Sequence, residues 1–316
     1  MKAGLLMPGQ GAQSVGMGAD FAAASPAAQA LFARADEILG ISLTRLCFEG
    51  PIEELTRTDV AQPAIYTCSL AALAALQETA GTELEPTMAA GLSLGEYTAL
   101  AAAGALSFED GLRLVRLRGQ AMQDASDACP SSMSSVMGLE RDAVEALCAG
   151  VAAESGKICQ VANLNSPGQI VVSGEIAALD LLEPRAKEAG ARMAVRLTVA
   201  GAFHSEVMRP AAERLQQALE SVAFAEPRCP VWQNATGQSE QAPKALKANL
   251  AAQLTAPVLW QDSFAAMAEA AADRPFVEPA PGRVLAGLGR KIARGAKIHS
   301  LNSMEALPAV LEALKS

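Results

Sequence analysis

Gly91-Leu92-Ser93-Leu94-Gly95 reads G-x-S-x-G, and only two histidines, His204 and His299, exist in the chain of 316 residues to serve that serine. A serine between two glycines suits a sharp strand-to-helix turn that exposes its hydroxyl. The flanks agree with such a turn. Thr87–Ala90 reads as a short strand, and Glu96–Ala103 is built of good helix formers. Serine is a weak nucleophile alone and needs a base, most often histidine. The alternative is a glycine-bounded turn carrying a passive serine.

Around this pentapeptide the chain alternates strand and helix patterns. Residues 3–7 form an apolar run stopped by Pro8-Gly9-Gln10-Gly11, and helical patterns follow at 27–39, 63–80 and 108–125. That order favours a parallel α/β sheet. The texture changes at Cys129-Pro130-Ser131-Ser132, which reads as a linker. Ser134–Leu139, Arg141–Glu154, Cys159–Asn163, Gln169–Ser173, Ile176–Ala189 and Met193–Val199 then read as β-α-β-β-α-β, with Asn165-Ser166-Pro167-Gly168 as the central turn. The expected architecture is an α/β-hydrolase-like parallel-sheet body, residues 1–128 and 199–316, interrupted by a ferredoxin-like subdomain over 129–198.

Composition narrows the class. The chain is 51% hydrophobic, 19% charged and 4% aromatic, so a large core must be built from Ala, Leu and Val. A net charge of −9 argues against nucleic-acid binding, which needs a basic footprint. No apolar run is read as long enough to cross a bilayer, and the N-terminal apolar stretch is too short for a signal peptide. The six cysteines show no C-x-x-C spacing and read as reduced packing thiols of a cytoplasmic protein. No metal or redox cofactor site is expected.

His204 follows the end of the Met193–Val199 strand and precedes a helical pattern at 205–221, the place where α/β sheets collect their sites. His299 lies inside an apparent strand, Lys297–Leu301. His204 is therefore the expected base, with a helix-capping histidine as the other reading. Arg118 stands out by projection. On a helix started at Leu112 it falls at about 240°, in the middle of the apolar face. A guanidinium there must find acceptors or an anion. It either pairs with a buried acid or waits for a substrate carboxylate. Pro8-Gly9-Gln10-Gly11-Ala12-Gln13 is no phosphate loop, since the spacing and lysine are absent. It suits either a plain turn or an oxyanion hole pairing the Gln10 and Leu94 N–H groups.

Taken together, the chain resembles the malonyl-CoA:acyl carrier protein transacylases, or malonyltransferases. The resemblance runs in order over nearly the whole chain: the segment from Pro8 to Gln13, Gly91 to Tyr97, Leu117-Arg118-Gly119 with Met122-Gln123, Asn165 to Gln169, Gly201-Ala202-Phe203-His204-Ser205, Gln253-Leu254 with Pro257-Val258, and Glu278 with Pro281-Gly282. It implies that Ser93 carries the acyl group, His204 is its base, and the Gln253 backbone carbonyl orients the imidazole in place of a carboxylate. It implies that Arg118 holds the malonyl carboxylate, that Gln10 and Leu94 supply the oxyanion donors, and that Phe203 belongs to the malonyl-selective version. Leu92 departs from the pattern, since many members have His there, and this bears on pocket lining. The implied partners are malonyl-CoA and an acyl carrier protein, in fatty acid biosynthesis, with a monomer expected. A serine esterase or thioesterase, a carrier-binding module, and malonyltransferases of polyketide or malonate-decarboxylase pathways remain as alternatives. Arg283, Arg290, Lys291, Arg294 and Lys297 form the densest basic stretch, either a carrier-docking patch or a solvated helix face.

Overall fold

A computed structural model describes residues 1–315 and contains ten strands in two sheets. The strands are β1 (Lys2–Met7), β2 (Glu85–Gly91), β3 (Ser131–Met137), β4 (Cys159–Ser166), β5 (Gln169–Glu175), β6 (Met193–Arg196), β7 (Val231–Trp232), β8 (Ser239–Glu240), β9 (Phe276–Pro279) and β10 (Ile298–Leu301). The larger sheet runs β10-β9-β1-β2-β7-β8 and is parallel except for the β7–β8 edge. Its central strand β1 is buried from Ala3 to Met7, as expected for a strand covered on both faces.

The smaller sheet runs β4-β5-β3-β6 and is wholly antiparallel. Its two helices, Arg141–Ser155 and Ile176–Glu188, cover one face. Val136, Ile170 and Val172 meet Val144, Leu179 and Leu182 in a core of their own. The period-2 alternation sends Met133 and Val171 to the opposite face, where they join the core of the main body. The small sheet is therefore apolar on both sides and packs its second face against the main body.

Several boundaries differ from the sequence reading. Ser131 and Ser132 are not a linker: they pair with Glu175 and Gly174 as the start of β3. The expected strand over 193–199 stops at Arg196, and Leu197 to Ala200 turn away to line a cleft. The helix expected at 205–221 is split into a 3₁₀ turn, Glu206–Met208, and a helix, Arg209–Ser221, because Pro210 fits only the first turn of the latter.

The helix expected from residue 63 begins at Thr58 and carries Pro63 in its interior. Proline leaves the carbonyl four residues earlier without its N–H partner. Here that carbonyl, on Asp59, accepts from Arg116 instead. This helix, Thr58–Ala80, also corrects the membrane reading. Its 23 residues are long and apolar enough to cross a bilayer, but it is packed inside the body as a core helix. Thr, Ser and Gln scattered among its alanines disguise the run in the bare sequence.

Candidate active site

Ser93 lies between the end of β2 and the helix Gly95–Ala102. Its φ is 55°, a left-handed value that β-carbon sterics disfavour. The flanking glycines make the turn feasible. A Cβ on Gly91 would meet the Gly95 carbonyl carbon at 1.9 Å, and one on Gly95 would meet the Met7 carbonyl oxygen at 2.2 Å. The Ser93 backbone N–H donates to Asn234 Oδ1 at 2.6 Å, and Asn234 Nδ2 donates to the Gly91 carbonyl at 2.7 Å. One amide thus bridges both sides of the elbow.

His204 also has a left-handed backbone, with φ 57°. It sits on the strap leaving β6, held to the small sheet where Ser173 donates to the Phe203 carbonyl and the Ala202 N–H donates to Ser131 Oγ at 3.2 Å. Its Nδ1 donates to the Gln253 carbonyl at 2.8 Å, which fixes the proton on Nδ1. Nε2 is then free to accept the Ser93 hydroxyl proton at 2.8 Å. Among the described residues no carboxylate bonds the ring. Burial first, and then the nearby Arg118 cation, lower the imidazole pKa to about 4, while the Gln253 carbonyl opposes the shift. At neutral pH the ring is an uncharged acceptor. His299, by contrast, stands on β10 and lines a different groove with Lys2, Arg274 and Lys297.

Arg118 is 1% exposed yet has no carboxylate partner among the described residues. Nη1 donates to Gln62 Oε1 at 2.8 Å. Nη2 donates to Gln253 Oε1 at 3.0 Å and to Ser93 Oγ at 2.9 Å. The guanidinium carbon lies 5.6 Å from the Tyr97 ring centroid. The first of the two sequence readings, a pair with a buried acid, is not met among the described residues. The charge is held by neutral oxygens and an aromatic face, and it points at the serine. Gly119 makes this helix approach possible, since a Cβ there would sit 2.6 Å from the Thr58 carbonyl oxygen.

The Gln10 and Leu94 backbone N–H groups have no protein acceptor among the described residues. Gln10, Leu92 and Phe203 line a cleft of about 630 Å³ with Ser93 and His204, between the two sheets. A groove of about 900 Å³ on another part of the surface is larger but contains no paired nucleophile and base. Within the basic stretch Lys297 lines that remote groove, while Lys291 donates to Gln169 on β5.

Three features escaped the sequence reading: Asn234, Gln62 and the side chain of Gln253. Gln253 Nε2 donates to the Ser93 carbonyl at 3.0 Å and to Glu96 Oε2 at 2.9 Å. Glu96, wholly buried, also accepts the Asn234 backbone N–H at 2.8 Å. Burial lifts its pKa to about 7 against the opposing effect of these donors and of Arg118. The one charge in an otherwise uncharged helix was the available signal.

The acyl transferase domain model matches residues 5–307. The chain belongs to the acyl transferase domain family. Within this family it is 41% identical over 314 residues to the malonyl CoA-acyl carrier protein transacylase of Bacillus subtilis, covering 99% of this chain and 98% of that one. It is 38% identical over 307 residues to the transacylase of the same name from Escherichia coli K12, covering 97% and 98%. Among solved acyltransferase structures, the malonyl CoA-acyl carrier protein transacylase of Coxiella burnetii superposes with a TM-score of 0.93 at 34% identity, covering 99% and 98%. A malonyl-transacylase in complex with its type II PKS acyl-carrier protein gives 0.93 at 37% identity, covering 99% of both chains.

Proposed function

We propose that this chain transfers a malonyl group from malonyl-CoA to the phosphopantetheine thiol of an acyl carrier protein, through a malonyl ester on Ser93, in fatty acid biosynthesis. One observation carries the reading furthest: a buried arginine without an acid partner places Nη2 2.9 Å from the oxygen of a serine already bonded to a neutral histidine. Such a cation suits an acyl group that brings its own carboxylate. The relatives' names agree with this chemistry.

The steps follow from the geometry. Ser93 Oγ attacks the thioester carbonyl carbon as its proton passes to His204 Nε2. The carbonyl oxygen, now an oxyanion, takes the Gln10 and Leu94 N–H groups, each donor worth on the order of 3 kcal/mol in the transition state. The C–S bond breaks, and the CoA sulfur leaves with the proton from His204. A carrier thiol then gives its proton to His204 and attacks the ester, and Ser93 regains its hydroxyl hydrogen as the C–O bond breaks. The Gln253 carbonyl stabilises the imidazolium in both halves. Arg118 exchanges its serine contact for the malonyl carboxylate and holds the acyl group in one orientation. Phe203 and Leu92 shape the space beside it.

We read the chain as two parts, an α/β-hydrolase-like body over 1–128 and 199–316 and a ferredoxin-like subdomain over 129–198. The elbow supports the first, and the β4-β5-β3-β6 order with helices on one face supports the second. Six free cysteines accord with a reducing cytoplasm, and we take the working unit to be one chain.

Intact-mass measurement after mixing with malonyl-CoA tests the reading. A malonyl adduct should persist on Ser93 against water and disappear when a holo carrier protein is added. Rapid release of free malonate without a carrier would instead identify a hydrolase.

A further inference from the structure

Among the described residues Glu96 brings the only carboxylate into the site's hydrogen-bond network, yet that carboxylate bonds neither the Ser93 hydroxyl, the His204 ring nor Arg118. Oε2 takes two N–H donors, from Asn234 and Gln253, while Oε1 has no hydrogen-bond partner. No lysine or arginine forms an ion pair with it among the described residues. A buried charge kept without a counter-ion is expensive and calls for an explanation.

The explanation lies in the two ends of the Gln253 amide. The NH2 end faces Glu96 and the oxygen end faces Arg118. A guanidinium has donors only, and an ionised carboxylate has acceptors only. Turning the amide over would set its oxygen against Glu96 and its NH2 against Arg118, and both contacts would become repulsive. Glu96, together with the Ser93 carbonyl that accepts from the same NH2 group, therefore sets which end of Gln253 the arginine meets. The distance between the two charges has a second use. A carboxylate placed directly on Arg118 would neutralise it and compete with an incoming carboxylate. Glu96, one amide removed, orients the guanidinium and leaves its charge unspent. Glu96 acts on the elbow as well, since the Asn234 whose backbone it holds bridges Gly91 and Ser93.

We propose that Glu96 is a positioning residue for acyl-group selection: by fixing the polarity of the Gln253 amide it aims Arg118 at the acyl carboxylate without neutralising it. This rests on the malonyl-transfer reading above.

The test is the ratio of kcat/KM for malonyl-CoA to that for acetyl-CoA, measured on the full chain at pH 8 with pantetheine as acceptor. A merely structural role would lower both substrates together and leave the ratio in place. Glu96→Leu and Gln253→Met, which keeps the backbone carbonyl for His204, should each lower the ratio by about tenfold to a hundredfold, the worth of a hydrogen bond to a charged group. Glu96→Gln keeps an acceptor oxygen and should hold the ratio within about threefold of the starting enzyme. The double variant Glu96→Leu/Gln253→Met should lose no more than the worse single change, because both act through one contact. A wild-type ratio in either folded single variant, or multiplicative losses in the double, would overturn the proposal. Should Glu96→Leu fail to fold, Gln253→Met alone decides. Arg118→Ala separates the two levels: if it leaves the ratio unchanged, the malonyl reading itself fails. If it abolishes the ratio while Gln253→Met preserves it, only the role of Glu96 falls.

Discussion

Ser93 and His204 share a 2.8 Å hydrogen bond across 111 residues of sequence, and they share a strained backbone, with φ at 55° and 57°. Each left-handed non-glycine residue costs about 1–2 kcal/mol. Glycine normally loses about 1 kcal/mol to alanine inside regular structure. At Ser93 the order should reverse. Ser93→Gly is expected to be more stable than Ser93→Ala by about 1 kcal/mol in urea unfolding, with both inactive. An alanine variant as stable as the glycine one would show that the elbow stores no strain.

The acid limb of the rate profile should report His204. Its pKa of about 4 means that the base is lost to protonation near pH 4, well below the usual histidine range. Arg118 is the second cause of that shift, and a bound malonyl carboxylate would screen it. For malonyl-CoA the limb in kcat, which reports the complex, should therefore lie above the limb in kcat/KM. For acetyl-CoA the two limbs should coincide. Arg118→Ala should raise the free-enzyme limb toward 6.5. An unmoved limb in that variant would contradict the charge assignment.

Stability should carry two opposing pH dependences. His204 has a depressed folded pKa, so its contribution is complete above pH 6.5 and is lost as pH falls through about 4. Glu96 has a raised folded pKa, so its contribution is complete below 4.5 and is lost as pH rises through about 7. Each is worth about 3 kcal/mol, and they offset one another between pH 4.5 and 6.5. Glu96→Gln removes one side of the balance. The stability of this variant relative to the parent should rise between pH 5 and pH 8 in urea titrations, and a flat difference would mean that Glu96 ionises normally.

Gly119 gives a prediction one step outside the chemistry. A methyl group there would press on the Thr58 carbonyl and the Asp59 Cα at 2.6 and 2.8 Å. Gly119→Ala should destabilise the fold by about 1–3 kcal/mol. Because Arg118 rides on the same turn, the variant should also lose preference for malonyl-CoA over acetyl-CoA. Thermal melting and the substrate ratio check the two effects separately.

The local parts of this site were legible in the sequence. The elbow glycines, the turn after β1 and the misplaced Arg118 follow from spacing and period, which need no knowledge of distant residues. The small sheet's element order was legible for the same reason, although its edges were not. Ser131 and Ser132 resemble a linker until Glu175 and Gly174 pair with them, and partners more than 40 positions away cannot be seen from composition. Gln62, Asn234 and the Gln253 amide were invisible because each is an ordinary polar residue defined by partners 56 to 160 positions away. Pro63 misled in the opposite direction: it marks a helix boundary by rule, and the rule fails where Arg116 takes up the orphaned carbonyl.

The strap that carries His204 is fastened to the four-stranded sheet, whereas Ser93 and Arg118 are rooted in the six-stranded body. The proton therefore hops across a seam. Hydrogen bonding fades steeply beyond its normal reach, so a compound that wedges the seam open by an ångström or so would silence the enzyme without ever touching the serine.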